Sequence, residues 1–506
     1  MNSIKFGRYS VLSATLRGVK AVPVDVEISV FKGLPSFSIV GMPDSSIQES
    51  RERIFSAIKS SNFIMPNARI VVNLAPGHIK KSGSGFDLPI AVGILAATGQ
   101  IPSEFLDDYL IIGELSLDGA IRQVPGILAF ALAAKDKSRN LLGANSAKDS
   151  VKIDGVEQLY VENLADFYSS TYKKTKFDNL NTEDTTYYDF KDINGHDIAK
   201  RALQIAACGN HGVLMIGPPG SGKTMLAQRL PSILPPLSKE EQMETAVIHS
   251  IAGENVSSIL DGIRPFRSPH HSASLPGLIG GGHPTKPGEV SLAHNGVLYL
   301  DELAEFSTHV LQGVRQPMES GDVTIIRADG AVTFPASFSL IAASNPCPCG
   351  YFGDKEHDCK CTAKQISNYQ RKIGGPVLDR IDIHLDVSRI DAKSVLNTGH
   401  GTSSAQLLEG VLKGREYASW RNKSKTNLNT MEALVDSCDL SSEDFEFFEQ
   451  VATENNMSGR GIMRVLSVAR TIADIDLSES VKHEHLCEAL TFRIREKNTS
   501  VMEQIC

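Results

Sequence analysis

The chain has 506 residues, 41% of them apolar and 22% charged, and a formal net charge of −8. That length suits about three domains of roughly 100–200 residues each, and the composition is that of an ordinary globular protein rather than a disordered or fibrous one. The acidic balance excludes a protein that coats nucleic acid over its whole surface, but a local basic channel stays possible because the local field decides binding. No apolar run reaches the length of a membrane span and Met1 to Gly7 lacks a secretory apolar region, so a cytoplasmic protein without membrane contact is expected. Eight cysteines in so long a chain do not suggest a disulfide scaffold, and a local cluster among them points to metal instead.

Residues 1–165 alternate strand-like and helix-like segments. Val22 to Val30 has the period-2 pattern of a half-buried strand, with further strands at Ile39-Val40, Arg69 to Leu74 and Leu110 to Leu115. Ser45 can cap a helix running to about Ser60, with Ile47, Ile54, Phe55 and Ile58 on its inner face. Phe86 to Thr98 reads as a nearly all-apolar helix, and Gly126 to Ala134 as another. The wording of residues 80–99 and 113–126 resembles the proteolytic-type domain of the Lon protease family, which implies an α+β fold of the ribosomal S5 domain 2-like kind. That family uses a Ser–Lys dyad. The resemblance puts Gly85 at the nucleophile position and Leu128 at the lysine position, and neither can do that chemistry. A structural or docking module is therefore expected, not a protease.

Residues 166–190 are polar and lack an apolar period, which marks a linker. Within the next stretch, 191–392, an apolar run from Val213 to Ile216 breaks into Gly217-Pro218-Pro219-Gly220-Ser221-Gly222-Lys223-Thr224 and then a helix-forming segment. The order of strand, glycine-rich turn and helix is the setting in which G-x-x-x-x-G-K-[ST] cradles a polyphosphate, and ATP with Mg²⁺ is the expected ligand. Lys223 would neutralise β/γ-phosphate charge and the Thr224 hydroxyl would sit on Mg²⁺. A second apolar strand ends in Asp301-Glu302, one carboxylate for the Mg²⁺ shell and one to polarise the attacking water. A third, Ser337 to Asn345, offers Asn345 at its C-terminal edge to orient that water. Arg380, before a strand at Ile381 to Val387, would make an arginine finger for a neighbouring site. Arg460 and Arg464 share a helix face, and one of them is expected to reach the nucleotide from a lid.

Cys347, Cys349, Cys359 and Cys361 fall within one short stretch. Four thiolates can close a tetrahedral Zn²⁺ site, although the C-x-C spacing departs from the usual C-x₂-C. Four free thiols in a tight loop is the other reading, and His357 a substitute ligand. Cys208, Cys438, Cys487 and Cys506 are scattered and read as packing or surface residues. After residue 392 a Gly-Thr-Ser-Ser linker (401–404) leads into helical segments at 405–420, 441–453, 458–474 and 483–497, an all-α lid.

Taken together these motifs resemble AAA+ ATPases of the magnesium-chelatase-like kind, in particular the ComM/YifB subfamily. The phrases that carry the likeness are FRSPHHSAS (266–274), GGGHPTKPGEVSLAHNGVLYLDEL (280–303), RQPMESGDVTI (315–325), NPCPCG (345–350) and VARTIADI (468–475). The resemblance covers essentially the whole chain. It implies a multidomain α/β protein: a Lon-like domain at 1–165, an AAA+ module with a parallel sheet at 191–392, and a helical lid at 393–506. It further implies a hexameric ring whose sites are completed by the neighbour's Arg380. Two insertions would face the ring channel, residues 262–290 and a hairpin from Val323 to Phe334 turning at Asp329-Gly330. They make Arg264, Arg267, His270, His271, Lys286 and Arg327 candidate contacts to a DNA backbone. The leading expectation is a DNA-moving ATPase, a helicase or branch-migration factor for incoming DNA in natural transformation. The alternatives are a metal-insertion ATPase subunit of the Mg-chelatase type and a protein-remodelling ATPase.

Overall fold

The structure is a computed structural model that describes residues 6–145, 151–169, 171–175, 188–327, 330–354, 356–372, 380–390, 401–422 and 431–493. Its N-terminal unit opens with β1 (Arg8–Arg17), which the sequence reading missed, and β2 (Lys20–Phe31). β3 (Ser36–Val40), α1 (Ser45–Ser60), β4 (Arg69–Ala75) and α2 (Asp87–Ala97) follow. These strands form a sheet in the order β1-β2-β4-β3. The cap of α1 is Asp44, whose carboxylate accepts from the Ile47 N–H at 3.0 Å, and not Ser45. Phe55, expected on the inner face of α1, is exposed because the buried stripe runs through Ile47, Ser50, Ile54, Ala57 and Ile58. A second small sheet holds β5 (Tyr109–Ile111), β6 (Asn140–Gly143), β7 (Gln158–Tyr160) and β8 (Lys173–Lys174), with α3 (Ile127–Asp136) before β6. The pairing of β8 with β7 puts the start of the expected linker inside this unit. Most of residues 176–190 lies outside the described residues.

The central unit, where the AAA+ module is expected, starts with α4 (Asp197–Gly209), β9 (Val213–Ile216), α5 (Lys223–Arg229) and α6 (Lys239–Ala252). It goes on through β10 (Phe266–Arg267), β11 (Val297–Leu300), α7 (Thr308–Ser320), the hairpin β12 (Asp322–Arg327) and β13 (Gly330–Pro335), β14 (Ser339–Ser344) and β15 (Ile383–Asp386). The hairpin pairs Val323 with Phe334 and Arg327 with Gly330; its tip, with Asp329, lies outside the described residues. β10-β11-β14-β9-β15 form one five-stranded sheet, parallel throughout. Strands buried on both faces read as continuous apolar runs, as Val213 to Ile216 and Val297 to Leu300 do. Val213, Met215, Val297, Tyr299 and Ile341 face α4 and the C-terminal helices in one core. Leu214, Ile216, Leu298, Leu300 and Leu340 face α7 in another. The parallel sheet with C-terminal helices fits an AAA+ module.

The C-terminal helices are α8 (Ser404–Asn422), α9 (Met431–Cys438), α10 (Ser442–Glu454), α11 (Gly459–Ile475) and α12 (His483–Thr491). Among the described residues no helix is long and apolar enough to cross a membrane. Cys208 and Cys438 are buried and free, as packing residues should be, whereas Cys487 is disulfide-bonded and so is not a plain packing residue. Cys506 lies outside the described residues.

Candidate functional site

Adjacent parallel strands end side by side, so residues just past their C-terminal ends converge. Ile216 of β9 is level with Ser344 of β14, and Leu300 of β11 with Ala342. The loop 217–222, the pair Asp301-Glu302 and Asn345 therefore line one edge of the sheet. Gly222 caps α5 with a φ of 88°, in the left-handed region that glycine adopts without strain. Lys223 is buried, and its ammonium donates to the carbonyls of Gly217 at 2.8 Å and Pro218 at 2.9 Å. Burial lowers its pKa, and nearby Asp301 opposes that. The Thr224 hydroxyl donates to Asp301 at 3.0 Å, an oxygen pair of the hard kind that Mg²⁺ takes. Asp301 also accepts from the Glu302 N–H at 2.9 Å, while Glu302 holds a left-handed φ of 51° that turns its carboxylate out of the strand line.

Three residues at this edge escaped the sequence reading or were assigned elsewhere. The Tyr299 hydroxyl donates to Thr224 at 3.3 Å, from a side chain buried under the loop. His196, at the start of α4, stands beside the loop, 3.4 Å from where a Cβ on Gly222 would be. A histidine just before a helix that precedes the P-loop strand is the only signal for it. His271, expected in a channel, instead lies 3.3 Å from the Glu302 carboxylate and edge-on to Phe306, with the His270 ring 4.1 Å away.

The arginines stand at the other end. β15 runs parallel to β9 with Val213 opposite Ile383, so residues before Ile383 lie at the edge remote from the P-loop. Four residues of strand separate the two edges by about 13 Å. Arg380 is buried there and ion-paired with Glu319 at the end of α7. Arg380 first, and Arg315 and Arg460 besides, hold the Glu319 carboxyl below its ordinary pKa. Arg464 pairs with Asp382. The expectation that Arg460 or Arg464 reaches the nucleotide therefore fails for the chain's own P-loop. It survives only toward an adjoining chain.

The four cysteine sulfurs lie within 4.8 Å of one another, with Cys347, Cys349 and Cys359 separated pairwise by 3.4–3.7 Å. Four sulfurs at the Zn–S length of 2.3 Å around a tetrahedral centre stand about 3.8 Å apart, so the donor set fits zinc. His357 is not in the cluster; its Nδ1 accepts from Arg389 at 3.0 Å.

The expected channel cations divide. Arg264 donates to the carbonyls of Pro235 and Asn295 and pairs with Glu241, and Arg267 is held between Glu254 and Glu289. Both are structural here, because their charge is already neutralised. Lys286 and Arg327 line a cleft of about 790 Å³ between the N-terminal and central units, together with Arg17, His78, Lys80 and His283. Among the described residues its one lining carboxylate, Asp44, is occupied by the N–H groups of Ile47 and Gly83. The floor of the cleft contains Gly85, where a Cβ would meet Ile112 Cδ1 at 2.7 Å. Leu128 is 1% exposed and belongs to an apolar core shared by α3 with Val247 and Ile251 of α6. Thus the two positions that a Ser–Lys dyad would need are a packed glycine and an interdomain leucine.

Comparison with known protein families gives matches to "Magnesium chelatase, subunit ChlI" over residues 189–395, "Subunit ChlI of Mg-chelatase" over 26–145 and "Magnesium chelatase, subunit ChlI C-terminal" over 401–493. The chain is 40% identical over 495 residues to competence protein ComM of Haemophilus influenzae, covering 96% of this chain and 97% of that protein. It is 40% identical over 491 residues to YifB of Escherichia coli, with 94% and 95% covered. A magnesium-chelatase 67 kDa subunit of Chlorobaculum parvum is 28% identical over 161 residues, 31% of this chain and 23% of that protein.

Proposed function

Because the chain belongs to the ComM/YifB family of magnesium-chelatase-like proteins, we propose that it is a cytoplasmic, ring-forming ATPase that moves DNA, a helicase or branch-migration factor. The observation that carries the ATPase reading is the single sheet edge on which Lys223, the Thr224–Asp301 pair, Glu302 and Asn345 converge. Lys223 and the N–H groups of the loop bind the phosphates. Thr224 and Asp301 would hold Mg²⁺, which when bound would supply neutralisation of phosphate charge. Glu302 takes the proton of the attacking water, and Asn345 fixes that water's orientation. The remote placement of Arg380 and Arg464 supports a head-to-tail ring, probed by hydrolysis that rises with chain association. Zinc in the four-cysteine cluster is part of the same reading.

The DNA reading rests on the cleft, where Arg17, Lys286 and Arg327 have no ion-pair partner among the described residues of a chain that is acidic as a whole. The name of the Haemophilus relative, a competence protein, fits handling of incoming DNA. A metal-insertion subunit is the weaker reading, since the Chlorobaculum chelatase subunit matches only 31% of the chain. The packed Gly85 and Leu128 speak against peptide hydrolysis.

The test is ATP turnover by the full chain alone and with single-stranded DNA, a four-way junction, casein or a porphyrin. Stimulation by DNA with strand displacement is expected; stimulation by porphyrin alone would refute it. Glu302→Gln should keep ATP affinity and lose at least ~10²-fold in turnover. Normal turnover in that variant would remove Glu302 from the mechanism.

A further inference from the structure

The cysteine loop has almost no apolar anchor of its own. Cys347 is buried, but Pro348, Phe352 and the stretch from Glu356 to Asp358 are exposed. The loop nevertheless lies against the phosphate loop. Gly350 has a φ of 85°, and a Cβ there would stand 2.6 Å from Pro219 Cδ. Arg389, just beyond β15, joins the two. Its guanidinium donates to the Pro219 carbonyl at 3.1 Å and to His357 Nδ1 at 3.0 Å. It also lies 3.7 Å from Asp354, 3.5 Å from Glu356 and 5.7 Å from the Tyr351 ring, which stacks on His357 at 5.0 Å. The Asp354 side chain is 4% exposed, and its Oδ2 has no hydrogen-bond donor among the described residues, so Arg389 is its main countercharge.

We propose that Arg389 is a positioning residue through which metal in the four-cysteine cluster sets the affinity of the phosphate loop for nucleotide. This rests on the ATPase and zinc readings above. Across a trans peptide the C=O and N–H point in opposite directions. A donor that holds the Pro219 carbonyl outward therefore turns the Gly220 N–H inward, toward a bound phosphate. Pro219 has no N–H to contribute itself, so the orientation of its carbonyl is its only lever on the anion. Zinc would tie Cys347 and Cys349 to Cys359 and Cys361, closing residues 350–358 into a lobe. Tyr351, Asp354 and His357 on that lobe hold the guanidinium in place. Without the metal, only weak sulfur–sulfur hydrogen bonds of 3.4–3.7 Å link the thiols, and the polar lobe has little apolar core to keep its shape.

The experiment uses the full chain, zinc and a fluorescent ATP analogue. Bound zinc, analogue affinity and thermal midpoint without nucleotide are measured for the unmodified protein, Arg389→Ala and Arg389→Lys. Each is examined zinc-loaded and after removal of zinc by a chelator. Arg389→Ala should keep its zinc and bind the analogue about tenfold more weakly. Removing zinc should weaken the unmodified protein by a similar factor, reversibly, and leave Arg389→Ala no weaker than before. Should Arg389→Ala unfold, Arg389→Lys, which keeps the charge without the fork, carries the same comparison. The proposal is overturned if either variant, folded, binds like the unmodified protein, if zinc removal weakens all forms equally, or if the cluster takes up no zinc. An unmodified, zinc-loaded protein that binds no nucleotide would overturn the ATPase reading along with it; a binding protein with an indifferent Arg389 sinks the coupling alone.

Discussion

Gly85 shows how one side chain can close a chemical possibility. A serine there would bring its Cβ to 2.7 Å from Ile112 Cδ1 and 3.3 Å from Ile112 Cγ1, both below comfortable contact. Ile112 is 2% exposed, so its side chain must shift to make room. Gly85→Ser is expected to destabilise the N-terminal unit by roughly 1–3 kcal/mol, the usual cost of overpacking, and to create no peptidase. Thermal unfolding and a casein-cleavage assay check both halves. The site at the sheet edge was legible at this scale because each residue occurs in a short, directional motif: Lys223 and Thr224 after glycines, Asp301-Glu302 after four apolar residues. Arg264 and Arg267 were not legible. Their partners Glu241, Glu254 and Glu289 lie elsewhere in the chain, and a local sequence does not tell a paired arginine from an available one.

Among the elements, α11 is tied to the sheet through a buried histidine. His211, just before β9, sits 2.8 Å from the Thr471 hydroxyl of α11 and 3.3 Å from Asp382. Burial first, and Arg464 next, push its pKa down from 6.5 to about 4. The native state thus favours the neutral ring, whereas the unfolded chain takes up the proton as pH falls below 6.5. Stability should therefore be lost between pH 6.5 and about 4, by roughly 3 kcal/mol at most. Thermal midpoints across that range, compared with His211→Asn, check this: the variant should be less stable at pH 7 and should lose less on acidification. The elements themselves were uneven to read. Four of the five parallel strands showed in the sequence, but β10 did not, because it is only the two half-buried residues Phe266 and Arg267 inside a stretch read as a channel insertion; β1 was missed because Ser13 and Thr15 are buried and break its alternation. The cap of α1 shifted by one residue because Asp44, unlike Ser45, can reach the Ile47 N–H.

At the scale of the whole molecule, the N-terminal and central units share a core. Leu110, Leu128, Phe130 and Ile153 pack with Val247, Ile251, Val256 and Ile259, and the Gly126 N–H donates to the Ser250 carbonyl at 2.8 Å. No linker reading could disclose this, since the contacts join residues about a hundred or more positions apart. Leu128→Ala should cost about 2–5 kcal/mol and split a joint calorimetric transition into two; a single unshifted transition would show that the units do not depend on each other. Leu128 is part of the seam between the two units. Placing serine at 85 and lysine at 128 would crowd Ile112 and put a charge into that seam. Chemistry of that kind could be installed here only by first prising the two units apart.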